Sequence, residues 1–255
     1  MVAEWSEYLI TATINKKEKG RFKIMGRKKE YYLVIDTETA NTVEEPLCYD
    51  VGYCIADRTG KIYLKRAFVV AEIFLDMPDL MKSAYYAEKI PLYWDAIKSK
   101  EKTLKSLFNI RKIIKEDMQK YNVKKVCAYN AHFDRTALNN TLRYLSKSRF
   151  RWFFPWGTEY LCIWHMACQV LLNRSTYRKF AMQNGLIKES GNLQTSAEAC
   201  YKYITDKVDF IESHTGLEDV LIETEILAKC FKTHKKMDTS INRLCWRIPQ
   251  VATNR

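Results

Sequence analysis

The chain has 255 residues, 47% of them hydrophobic, with only eight glycines and five prolines. That is enough apolar material for one large domain, with or without appendages, and it excludes a linker-rich or low-complexity chain. A formal charge of +12 and a pI near 9.2 make a polyanion the natural partner, nucleic acid ahead of an acidic membrane.

Residues 1–30 read as a basic N-terminal extension. Two β-prone runs, Tyr8–Ile14 and Arg21–Met25, flank a turn at Asn15–Gly20, and Asn15–Glu30 holds eight basic residues against two acids. A phosphate-contacting arm and a solvated charged turn are both open. The predicted domain occupies 31–234. Its first strand, Tyr31–Ile35, is an unbroken apolar run that ends in Asp36 and Glu38, two residues apart and so on one face. A surface turn or a cation site would each account for that pair. Residues 47–56 alternate, with Leu47, Tyr49, Val51, Tyr53 and Ile55 on one face. The turn Asp57–Gly60 joins them to a third strand, Lys61–Val70, in a hairpin. Residues 71–122 look helical with breaks near Pro78 and Pro91, the clearest stripe spanning Thr103–Tyr121. Lys124–Tyr129 is a fourth strand, parallel to the first. A helix over Phe133–Leu145 follows, then a short fifth strand at Trp152–Phe154 and helices over 159–172, 175–184, 195–204 and Gly216–Phe231. Residues 235–255 form a basic tail whose Leu244, Trp246 and Ile248 predict packing.

Eight cysteines (Cys48, Cys54, Cys127, Cys162, Cys168, Cys200, Cys230, Cys245) sit mostly within apolar patterns and form no C-x-x-C. This is the usage of a reduced, cytoplasmic protein. Cys162, His165 and Cys168 fall in a predicted helix, where their six-residue span does not converge on one ion. No signal peptide or membrane span is predicted. The abundance of Lys, Tyr, Ile and Asn over Gly and Pro points to an AT-rich genome, bacterial or phage.

Two further constellations answer Asp36 and Glu38. Asn130 is positioned to cap the helix after strand four, and Asp134 shares that helix's buried stripe with Leu138 and Leu142. A helix N-terminus offsets only about 0.3–1 kcal/mol for such a charge, so a cation is the stronger account, with simple capping as the alternative. His214-Thr215-Gly216-Leu217-Glu218-Asp219 opens the late helix through a Thr215-x-x-Glu218 capping box. Spacing leaves Asp219 at the edge of the apolar stripe, either solvated or aimed along the seam with the sheet.

The ordered set, a strand-end Asp-x-Glu, an Asn-x-x-Phe-Asp opening a helix and a His-x4-Asp opening a late helix, resembles the DEDDh group of DnaQ-like 3′–5′ exonucleases. The resemblance covers roughly residues 31–232. It implies an RNase H-like α/β fold, a mixed sheet of about five strands flanked by helices. It also implies that Asp36, Glu38, Asp134 and Asp219 hold two Mg²⁺ or Mn²⁺ ions, with Asp36 bridging, and that His214 is the general base. Neighbouring carboxylates are expected to raise the His214 pKa and the cations to oppose them, with activity rising toward alkaline pH. Thr37, Thr39 and Asn130 are the implied substrate contacts. Single-stranded DNA or RNA 3′ ends are the implied substrate, and a polymerase or other replication or repair protein a possible partner. His132, His165 and His234 acquire no role. Asn41 stands where such proteins often have glycine, which touches none of the acids. The competing reading is an inactive copy of the fold that binds nucleic acid or a partner.

Overall fold

The computed structural model describes residues 29–251, so the predicted basic extension lies almost wholly outside the described residues. Six strands form one sheet: β1 (Tyr31–Ala40), β2 (Leu47–Asp57), β3 (Ile62–Val70), β4 (Thr103–Lys105), β5 (Lys125–Ala128) and β6 (Glu159–Cys162), in the order β4-β3-β2-β1-β5-β6. The helices in chain order are α1 (Ala71–Phe74), α2 (Pro78–Met81), α3 (Ile90–Lys98), α4 (Leu107–Lys120), α5 (Ala131–Ser146), α6 (Ile163–Val170), α7 (Ser175–Gln183), α8 (Ala197–Thr205), α9 (Gly216–Lys232) and α10 (Ile248–Val251). The β1–β2–β3 meander is antiparallel, whereas β5 runs parallel to β1, β6 to β5 and β4 to β3. The mixed α/β architecture read from the sequence is therefore observed, with one strand more than expected.

The differences have local causes. β1 continues through Ala40, so both acids lie inside a paired strand, with Glu38 opposite Asp50 and a register slip just after it. The helix expected from Thr103 begins at Leu107. Ser106 caps it by accepting from the Asn109 N–H, and Thr103–Lys105 pair with Phe68–Val70 at the sheet edge. Glu159–Cys162, assigned to a helix, is instead the other edge strand. A four-residue segment is too short to betray its own period. The strand expected at Trp152–Phe154 is a loop lying on α5, where the Phe153 N–H donates to Asn139 Oδ1 at 2.8 Å.

Period-two alternation divides the sheet between two cores. Leu33, Ile35, Tyr49, Val51, Tyr53 and Ile55 pack beneath α4 and α5. Tyr32, Val34, Cys54 and Ala56 pack beneath α6, α8 and α9. β2 is buried along its whole length, as a central strand must be. All eight cysteines are buried and unpaired. Beyond α9 the chain returns to α6: the Cys162 N–H donates to Thr239 O, and Cys245 and Ile248 join the second core.

One contact sets where α9 begins. A Cβ on Gly52 of β2 would fall 2.0 Å from the carbonyl carbon of Gly216, and one on Gly216 would fall 2.7 Å from Gly52 N. Only a glycine pair lets the first turn of α9 lie against β2. Any side chain at either position would push the helix, and Asp219 with it, away from β1.

Candidate metal centre

Strand parity sends Asp36 and Glu38 toward α9 and Thr37 the other way, toward α5. Thr37 is buried, and its hydroxyl donates to Asp134 Oδ1 at 3.0 Å. Asp134, in the first turn of α5, is buried beside the end of β1. From the opposite side the Gly52–Gly216 contact brings in Asp219, buried in the first turn of α9. Ligand oxygens of Asp36, Glu38 and Asp219 all lie within 4.8 Å of one another. The seam placement left open for Asp219 is the one observed.

Asp50, on β2 across from Glu38, fixes this geometry. It is fully buried, and its Oδ2 accepts from Tyr93 Oη (2.7 Å), Lys102 Nζ (2.7 Å) and the Gly216 backbone N–H (3.0 Å). A β2 carboxylate thus satisfies the first backbone donor of α9. The expected capping box does not form: Thr215 sits at the N-cap, but its hydroxyl donates to Glu218 Oε2 at 2.7 Å. Asn130 likewise occupies the N-cap of α5 without a side-chain bond to that helix's N–H groups.

Sequence reasoning missed a fifth acid. Glu223, one turn beyond Asp219, is 3% exposed, and its Oε2 has no hydrogen-bond partner. The buried face of α9 runs Asp219, Ile222, Glu223, Ile226, Cys230, a proper helical stripe interrupted by two acids. Reading that stripe from Ile222 and Ile226 rather than from Leu217 and Leu221 would have exposed it. Burial, then Asp134, Glu223, Glu38 and Asp219 in turn, push the Asp36 carboxyl well above the carboxylate range. Burial and Asp219 raise Glu38 to about 9. Burial and Glu212 raise Asp219 to about 8, and burial raises Asp134 to about 7 against the Thr37 hydrogen bond. Glu223 is likewise driven well upward, by burial and then by Asp134.

His214 stands at the rim. Its backbone is left-handed (φ 51°), its ring stacks on Tyr86 at 4.4 Å between centroids, and its Nδ1 is 3.9 Å from Glu212 Oε2. Its ligand atom clusters with those of Glu198 and Glu212, separate from the Asp36–Glu38–Asp219 set. The expected upward pull of carboxylates does not dominate: burial and then Lys89 lower its pKa, while Glu198 opposes them. Lys89, unremarked in the sequence, lies 4.4 Å above the Tyr86 ring and donates to Ser213 O at 2.6 Å. It is the cation that partly offsets Glu38 and Asp219.

No protein-family model and no curated protein sequence matches this chain. Solved structures do. The zinc-bound complex of Escherichia coli exonuclease I with single-stranded DNA aligns over 82% of this chain and 41% of its own, at 12% identity and a TM-score of 0.50. The same enzyme with a dA16 oligonucleotide aligns over 81% and 44%, at 13% identity and a TM-score of 0.48. The shared fold is RNase H-like, a mixed sheet flanked by helices. The chain spans less than half the length of those structures.

The acid set fits hard divalent cations. Every donor is a carboxylate oxygen, three of them converge, and Glu223 holds a buried oxygen with no protein partner, a costly state without a positive charge nearby. This has a measurable consequence. Each raised carboxyl holds its proton in the folded chain but not in the unfolded one between about pH 4 and its folded pKa. Stability without metal therefore falls as pH rises from about 4 to 9, the window set by Asp134, Asp219 and Glu38. Melting curves in EDTA should decline across that window, and Mn²⁺ or Mg²⁺ should flatten them, because ligation displaces the protons. Glu223→Gln should raise the melting temperature in EDTA at pH 8 and shrink the gain on adding metal. A pH-independent melt with no response to metal would count against a cation site.

Proposed function

We propose that this chain is a metal-dependent 3′–5′ exonuclease that hydrolyses terminal phosphodiester bonds of single-stranded nucleic acid. The observation that carries the reading is the convergence of Asp36, Glu38 and Asp219 from two distant segments, with Asp134 tied in through Thr37. The exonuclease I fold and the DNA-bound state of that relative favour a single-stranded DNA substrate, and the +12 charge agrees. In this reading Asp36, Glu38, Asp134 and Asp219 would hold two Mg²⁺ or Mn²⁺ ions, and the buried, unpartnered Glu223 would add negative charge beside them. When bound, those ions supply a nucleophilic water at neutral pH and charge neutralisation at the leaving oxygen.

The chain's own groups do the rest. Thr37 orients Asp134. His214, whose pKa burial and Lys89 lower, serves in this reading as the general base for the attacking water, which requires its ring to turn from Tyr86 and Glu212 toward the acids. In this reading the half-buried Thr39 and the exposed Asn130 contact the terminal nucleotide. The test is degradation of 3′-blocked and unblocked single strands, DNA and RNA, in Mg²⁺, Mn²⁺ or EDTA. Stepwise shortening of unblocked ends alone, abolished by EDTA, is the expected result. Binding without cleavage under every metal would leave an inactive fold that serves as a binding factor.

A further inference from the structure

The loop between α5 and β6 has a composition that neither the core nor the metal centre uses. Between Arg135 and Thr158 the sequence carries five basic residues (Arg135, Arg143, Lys147, Arg149, Arg151) and no acid. Among the described residues, no ion pair within 4.0 Å involves any of the five. The same stretch exposes Phe150 (84%), Trp152 (50%) and Trp156 (100%). Large aromatics left outside usually mark a contact surface, and these three follow one another along one loop.

The exposure does not come from a loose loop. Phe153 and Phe154, between the exposed rings, are buried and pack on each other at 5.1 Å. The Phe153 N–H donates to Asn139 Oδ1, Arg111 donates to the Trp152 and Phe153 carbonyls at 3.0 and 2.6 Å, and Arg143 Nε donates to Arg151 O at 3.1 Å. Inner residues are pinned and outer ones presented. Trp152 takes two guanidinium groups on its ring: Arg143 Cζ is 4.6 Å and Arg135 Cζ 5.7 Å from its centroid. Arg135 directly follows Asp134. The loop thus runs back along α5 toward the acids. Asn139, which anchors it, is five residues from Asp134, about 7–8 Å along the helix axis.

We propose that this loop is a single-strand nucleic-acid track leading toward the metal centre, with Phe150 and Trp152 as base-stacking platforms and Arg149 and Arg151 as phosphate contacts. Unpaired cations interleaved with exposed aromatic faces match the two chemistries of an unpaired strand, a regular negative charge and a π-face on every base. A protein partner would need acids and apolar groups alternating over the same short span, a narrower requirement. The track's direction toward the acids rests on the exonuclease reading; its binding of nucleic acid does not.

The experiment uses the full chain. Binding of 5′-fluorescein dT16 and rU16 is followed by anisotropy in EDTA across a salt series. Hydrolysis of thymidine 5′-p-nitrophenyl phosphate in Mn²⁺ reports the metal centre without the track. Phe150→Ala/Trp152→Ala should weaken oligonucleotide binding by about 5- to 150-fold per lost stack, and Arg149→Gln/Arg151→Gln should flatten the log K against log salt slope by about 1.4. Ester hydrolysis should be unchanged in both. Affinity and slope equal to wild type in the arginine pair, whose exposed side chains leave folding intact, would overturn the track and assign the aromatics to a protein partner. Track-dependent binding together with no ester or oligonucleotide hydrolysis by wild type would instead overturn the exonuclease reading and leave the track standing.

Discussion

Asp36→Asn is expected to lower metal-dependent hydrolysis by about a thousandfold or more while raising the melting temperature in EDTA. Asp36 is the acid whose charge all the others oppose: after burial, Asp134, Glu223, Glu38 and Asp219 each raise its pKa. Under the exonuclease reading a cation held there would contribute several kcal/mol to the transition state, and each 1.36 kcal/mol is tenfold in rate. Without metal the same residue concentrates repulsion in a buried site, so removing its charge relieves strain on folding. The paired readouts matter. A purely structural acid would lose stability and activity together, whereas a metal-holding acid trades one against the other. A variant that keeps its rate within tenfold of wild type would remove Asp36 from the mechanism.

Asp50→Ala is expected to cost about 3–5 kcal/mol of stability, because it strands a buried partner charge. For a domain of this size that is about 6–20 °C in melting temperature. Lys102, itself buried, would lose its counter-ion, and Tyr93 Oη and the Gly216 N–H would lose their acceptor. The α9 start would then be held only by the glycine contact, and Asp219 would move with it. Metal binding should weaken alongside the loss of stability, which calorimetric titration with Mn²⁺ would measure. Asp50→Asn, which keeps an acceptor but not the charge, should fall between. A melting temperature within about 2 °C of wild type would show that α9 is set by packing alone.

The sequence by itself determined the central strands β1, β2, β3 and β5 and singled out four acids as candidates. Alternation in Leu47–Ile55 is local, as is the apolar run before Asp36, so both were legible without knowing what packs on them. Asp36, Glu38 and Asp134 stood out because they end or interrupt apolar patterns, whereas Asp219 was singled out only by its place in the ordered motifs. What the sequence could not decide were pairings between distant segments. Thr103–Lys105 and Glu159–Cys162 are strands only because β3 and β5 offer free edges, and no property of three or four residues announces that. Asp50 looked like any alternate residue of a strand. Its role depends on Lys102 and Gly216, 52 and 166 residues away. Glu223 was hidden for a related reason, since its side of α9 becomes an acid-lined interior only once β1 and α5 close over it. His214 shows the same limit in reverse. Its place before the helix was readable, but the ring's direction, toward Tyr86 and Glu212 rather than the converging acids, is set by contacts made across the fold. Local periodicity writes elements and singles out misplaced charges; long-range contact alone decides which of those charges face one another.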